Sequence, residues 1–203
     1  MHPTLYPAPF TAAGWVFENK FDGFRALARK SGDKAELISR RGRLLARAFP
    51  EVIQAIAMLP HDAVLDAELV VSDERGHPAW DRLRRRSVMS RALRIDEAAR
   101  LQPAVLCVFD LLSIDGEDLR PLPLLERKRR LADLLPETLG LHLVSASRDS
   151  ASRAARQTSR PARLRQNPAR VAGFFFSATD ERYKVTTDDV PYIRWVRLPS
   201  AIW

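Results

Sequence analysis

The sequence predicts an α+β fold, with antiparallel-rich sheets flanked by helices. Three observations predict it. Short apolar or alternating stretches recur at 15–27, 36–39, 64–71 and 105–112, the pattern of strands. Tight turns built on glycine and aspartate separate them: Asp22-Gly23, Ser31-Gly32-Asp33, Asp73-Glu-Arg-Gly76 and Asp115-Gly116. Between these lie segments with apolar residues at helical spacing, at 49–59 and 121–135.

In chain order, residues 1–10 carry Pro3, Pro7 and Pro9 and read as an extended lead-in. From Trp15 an alternating strand runs to the break at Asp22-Gly23 and resumes through Phe24, Ala26 and Leu27. Glu36-Leu-Ile-Ser39 forms a short strand that ends in the arginine cluster Arg40, Arg41 and Arg43. Phe49-Pro50 opens a helix with proline at its favoured first position and Val52, Ile53, Ile56 and Leu59 on one face. In the strand at 64–71, Leu65, Ala67, Leu69 and Val71 point one way and Val64, Asp66, Glu68 and Val70 the other. The segment from His77 to Leu83 leads into an exposed basic helix bearing Arg84, Arg85, Arg86 and Arg91, with helical character continuing to Arg100. The run at 105–112 is the most buried-looking strand. An amphipathic helix at 121–135 follows, with Leu124, Leu125, Lys128, Leu131, Leu134 and Leu135 on one side and the Lys128 stem covering apolar surface. Residues 140–144 read as a last strand.

The 203 residues can form one large domain or one and a half small ones, and 46% hydrophobic content suffices for a sizeable core. No apolar run reaches membrane length and no charged-then-apolar leader is present, which predicts a cytoplasmic protein with no membrane partner. The single cysteine, Cys107, excludes an internal disulfide and sits in an apolar strand as a structural thiol. None of the four histidines has a partner at metal-ligand spacing, which argues against zinc or histidine-based catalysis. The net charge of +8 points to a polyanionic partner. Residues 145–170 hold seven arginines and one acid, so that segment carries +6 and the remainder only +2.

Two places carry candidate chemistry. Lys20 lies two residues from Asp22 and beside a glycine turn, with Arg25 within reach. A lysine acts as a nucleophile only where desolvation or a neighbouring cation favours the neutral amine, and an arginine fork suits a phosphate. Asp66 and Glu68 share one face of an otherwise apolar strand. Such a pair needs partners, a ligand cavity, or the solvent of an edge strand.

These residues reach a family. Glu18-x-Lys20-x-Asp22-Gly23-x-Arg25 resembles motif I of the ATP-dependent DNA ligases and capping-type nucleotidyltransferases. Ser39-Arg-Arg-Gly-Arg43 resembles motif Ia, Leu65-Asp-Ala-Glu68 resembles motif III with Ala67 in place of glycine, and the strand through Phe109 resembles motif IIIa. The likeness runs from about residue 9 to 144 and is similar to the ligase domain of bacterial end-joining ligases. It implies an ATP-grasp-like nucleotidyltransferase (DNA ligase adenylation) domain. It implies that Lys20 attacks the α-phosphate of ATP and carries AMP. By the same resemblance Glu18 and Phe109 contact adenine, Glu68 the ribose or a metal-bound water, and Arg25 and Arg40 phosphate or ribose. The implied cofactors are ATP and Mg²⁺. The implied partners are DNA with strand breaks and end-joining proteins, with the chain a monomer near the bacterial nucleoid.

Beyond residue 144 the likeness fails. Residues 145–170 are rich in Arg, Ser, Ala and Pro, with Leu164 the one large aliphatic residue, a composition that predicts disorder or irregular coil. Residues 171–203 read as a degenerate remnant: 172–179 lacks the glutamate and lysine of motif IV, and Arg194-Trp-Val-Arg197 only faintly resembles motif V. The oligonucleotide-binding-fold domain of the family is not found. The expectation is a truncated or frame-shifted ligase of weak activity; the alternative is a non-catalytic remnant that binds ATP or DNA.

Overall fold

The computed structural model describes residues 15–135, 140–147 and 193–197, and these fall into two compact units. The larger, within 22–143, is built on a six-stranded sheet in the order β3-β2-β4-β5-β6, with β7 added to β5. Its strands are β2 (Phe24–Ser31), β3 (Lys34–Ser39), β4 (Ala63–Val71), β5 (Ala104–Ile114), β6 (Glu117–Asp118) and β7 (Leu141–Leu143). All pairings are antiparallel except β5 with β7. The β2–β3 hairpin turns on Gly32, whose φ of 57° lies in the left-handed region.

Period-two alternation decides which face of each strand is buried. Leu65, Ala67, Leu69 and Val71 of β4, Ala26 and Ala28 of β2, and Leu106, Val108 and Leu111 of β5 enter one core. Helix α1 (Pro50–Ala57) begins with proline at its first turn and brings Val52, Ala55 and Ile56 to that core. Ile53 packs partly against it, as the helical spacing predicts. Leu27, between two core alanines, points outward and is exposed.

The basic segment forms two helices rather than one: α2 (Trp80–Ser87) and α3 (Ala92–Leu101), broken at 88–91. The expectation of a uniformly exposed arginine run is corrected at Arg86. This side chain is 1% exposed, bonds Glu51 and the carbonyls of Ala48 and Gln102, and lays its guanidinium 4.7 Å from the Phe49 ring centroid. Fixed acceptors inside the protein meet its Nη1 and Nη2 groups, while the buried Nε has no hydrogen-bond partner among the described residues; its neighbours Arg84 and Arg85 face outward. Helix α4 (Leu124–Leu134) packs Leu124, Leu131 and Leu134 inward.

The smaller unit contains a three-stranded sheet in the order β8-β1-β9. Strand β1 (Trp15–Asn19) pairs antiparallel with β8 (Ala146–Ser147) and with β9 (Ile193–Arg197). So β1 and β2 enter different sheets on either side of Asp22-Gly23. Ala146 and Ser147, inside the stretch expected to be irregular, are a strand, and so are Arg194 to Arg197 of the faint motif V likeness. The lead-in at 1–10 and the rest of 148–192 and 198–203 lie outside the described residues. Among the described residues no helix is long and apolar enough to cross a membrane.

Candidate active site

The face of β2, β4 and β5 opposite the core cluster, on which Phe109 and Asp66 are buried, brings three of the expected residues together. Strand β4 lies between β2 and β5, so Asp66 and Glu68 stand on a central strand and not on a solvated edge. Their partners come from the neighbouring strands. Arg25 on β2 donates from Nε to Asp66 Oδ1 at 3.0 Å and from Nη2 to Asp66 Oδ2 at 2.6 Å. Glu68 is the register partner of Arg25 on one side and of Cys107 on the other. The Arg25 guanidinium carbon lies 5.5 Å from the centroid of the Phe109 ring, within reach of a cation–π attraction. The hydrogen bonds to Asp66, with the nearby charges of Glu68 and Asp110, raise the Arg25 pKa above its ordinary value.

Alternation already sets Phe109 on this face with Cys107, and a break in register adds Asp110 to it. Asp66 pairs with Asp110 while Ala67 pairs with Val108, so Phe109 and Asp110 stand opposite Asp66 alone. Such a β-bulge re-aims side chains and disturbs the ladder locally. Helix α4 engages both bulge residues. Arg127 forks onto Asp110 with two bonds of 2.8 Å and also bonds the Leu122 carbonyl at 2.6 Å. Lys128 Nζ donates to the Phe109 carbonyl at 2.9 Å. Both cations are buried. Asp110 raises the Arg127 pKa in turn.

The turn glycine has a steric role. A Cβ on Gly23 would fall 2.2 Å from the Leu69 carbonyl oxygen and 3.1 Å from Glu68 Cγ. Gly23 thus brings the motif I backbone against β4, beside Glu68. Arg40 is exposed, and its backbone N–H donates to the Arg25 carbonyl at 3.0 Å, tying the arginine cluster to β2. Ser39 Oγ accepts from the Arg43 N–H at 3.0 Å and shapes that loop.

Glu18 and Lys20 belong to the smaller unit. Glu18 is buried on β1, opposite Ala146 on β8 and Arg194 on β9. Lys20 follows the end of β1 and is half-buried.

Cys107 is inert by placement: burial, reinforced by the Glu68 charge, pushes its thiol far up. Among the described residues no group of three or more His, Cys, Asp or Glu side chains could cage a metal. Asp66 and Asp110 are each engaged by an arginine fork, and Glu68 lies on the same face. A carboxylate in such a place suits an ion that keeps several waters and takes other ligands from phosphates, which is the habit of Mg²⁺.

Sequence reasoning singled out Arg25, Glu68 and Phe109, but not Asp110 or Arg127, and it gave Lys128 only a covering role. One signal was available: a lysine on the apolar side of the α4 pattern either snorkels out or finds a buried acceptor.

Comparisons with known proteins bear on the family and the fold. Residues 8–162 match the model of the ATP dependent DNA ligase domain. DNA ligase C of Mycobacterium tuberculosis is 34% identical over 152 residues, covering 67% of this chain and 39% of that protein. The bifunctional non-homologous end joining protein LigD of Bacillus subtilis is 33% identical over 141 residues, covering 66% of this chain and 23% of that protein. The crystal structure of the ligase domain from M. tuberculosis LigD matches with a TM-score of 0.57 and 27% identity, over 71% of this chain and 44% of that one. The chain therefore spans less than half the length of these relatives. With the family model covering most of its residues, the chain belongs to the ATP-dependent DNA ligase domain family.

Proposed function

We propose that this chain performs the nucleotidyl-transfer chemistry of an ATP-dependent DNA ligase, with Lys20 as the nucleophile. The observation that supports it most is the meeting of Arg25, Glu68 and Phe109 on one face of three adjacent strands. A cation, an acid and a ring there suit phosphate, ribose and base. The Lys20 amine attacks the α-phosphorus of ATP, the bond to the bridging oxygen breaks, and pyrophosphate leaves. The product is a lysyl-AMP phosphoramidate. AMP then passes to the 5′-phosphate at a DNA break, and the adjacent 3′-hydroxyl displaces it to seal the strand.

In this reading Arg25 steadies phosphate charge, Arg40 extends that contact, Glu68 binds the ribose, and Phe109 and Glu18 contact the adenine. A bound Mg²⁺ would be held by Glu68 through its waters and would neutralise phosphate charge. The substrate is DNA with strand breaks, the chain acts as a cytoplasmic monomer, and end-joining proteins are its partners.

Incubating the chain with α-labelled ATP and Mg²⁺ tests the proposal. Label that survives denaturation on the wild type and is absent from Lys20→Ala is the expected result. A wild type that takes no label retires the transfer chemistry. ATP binding without label would then favour the non-catalytic remnant.

A further inference from the structure

We infer that Arg127 and Lys128 are positioning residues that fix the Phe109 ring as the platform for the adenine base. The inference rests on the nucleotide site proposed above and adds to it a device on another element. Two consecutive residues of α4 hold two consecutive residues of the β5 bulge: Arg127 grips the Asp110 carboxylate and Lys128 bonds the Phe109 main-chain oxygen. A bulge disturbs its ladder, so a buried carbonyl there takes its donor from elsewhere. An ammonium is a strongly hydrated donor to bury, and Lys128 is only 9% exposed. A methionine or leucine would fill the same space without that desolvation cost. What the two cations supply is a fixed bulge. The same bulge faces Arg25 on the other side, whose guanidinium lies 5.5 Å from the Phe109 ring. Ring, guanidinium and the Asp66–Asp110 carboxylate pair are thereby held in one arrangement from two sides.

The test is equilibrium binding of ATP and of ribose 5-triphosphate, which lacks the base, to the full chain and to Lys128→Met, Phe109→Ala and their double variant. Lys128→Met keeps the stem and deletes the donor. We expect it to weaken ATP binding by about tenfold, the scale of one lost base–ring stack, and to leave ribose 5-triphosphate within about twofold. In the Phe109→Ala background the same change should have no further effect, because the ring it positions is gone. Lys128→Arg, which restores a donor, should recover part of the loss. Arg127→Met combined with Asp110→Asn, which leaves no stranded carboxylate, should repeat the pattern of Lys128→Met. Equal ATP affinity in Lys128→Met and wild type, or equal weakening of both ligands, overturns the inference. These readouts need no covalent label. A wild type that binds ATP without becoming labelled defeats the transfer reaction alone, and one that binds no ATP defeats both.

Discussion

Arg25 grips Asp66 across the β2–β4 ladder, Nε and Nη2 each donating to one carboxylate oxygen, at 3.0 and 2.6 Å. The motif I arginine is thus already charge-paired where the resemblance expects it to meet a phosphate. The pair holds the guanidinium beside the Phe109 ring, so its orientation is set before a ligand arrives. Asp66→Asn keeps the shape but removes the charge and one acceptor. It should lower stability by about 1.5–3 kcal/mol, the range for a hydrogen bond to a charged group. It should also weaken ATP binding. Urea unfolding and calorimetric titration check the two effects, and an unchanged variant in both would show that the pair positions nothing.

Gly23 offers a sharper steric test. An added methyl would collide with the Leu69 carbonyl, and that oxygen belongs to a central strand that cannot swing aside. Gly23→Ala should destabilise the chain by roughly 2–4 kcal/mol through forced backbone displacement, within the large-effect class of substitutions. The thermal midpoint measures it. A midpoint equal to wild type would mean that the turn has room after all.

The Arg86–Glu51 pair is a structural counterpart. Glu51 Oε1 accepts from Arg86 Nη1 at 2.6 Å and from the Ala104 N–H at 2.8 Å, which links α1, α2 and the start of β5. Arg86→Leu leaves the Glu51 carboxylate without its cation and should cost about 3–5 kcal/mol. Adding Glu51→Gln removes the stranded charge while keeping an acceptor for Ala104, so the double variant should be more stable than the single one. The reverse order in chemical denaturation would show that packing, not charge, decides this site.

Cys107 gives a pH prediction. Its native pKa is raised by burial, so the folded state keeps the proton that the unfolded state releases from about pH 8.5. This contribution to stability is complete below that pH and declines above it. The native thiol should therefore resist a disulfide reagent at neutral pH and react after unfolding, and Cys107→Ala should flatten the alkaline fall in stability. Prompt reaction of the native protein would contradict the burial.

The sequence by itself determined the elements whose cause is local. Alternation in β4 told which residues enter the core and which face outward; the spacing of Val52, Ile53 and Ile56 told the buried side of α1; Gly32 told a hairpin. It also told the order in which Arg25, Glu68 and Phe109 occur, and that order carried the family resemblance. Only the tertiary structure decided what each polar group meets. Arg25 and Asp66 are 41 residues apart, Arg86 and Glu51 are 35 apart, and Lys128 finds the Phe109 carbonyl 19 residues away. Periodicity cannot encode such pairings, nor the one-residue slip that sets Phe109 and Asp110 against Asp66. Both depend on which strands and helices come to lie side by side, and a buried charge is stable only when that arrangement brings it a partner.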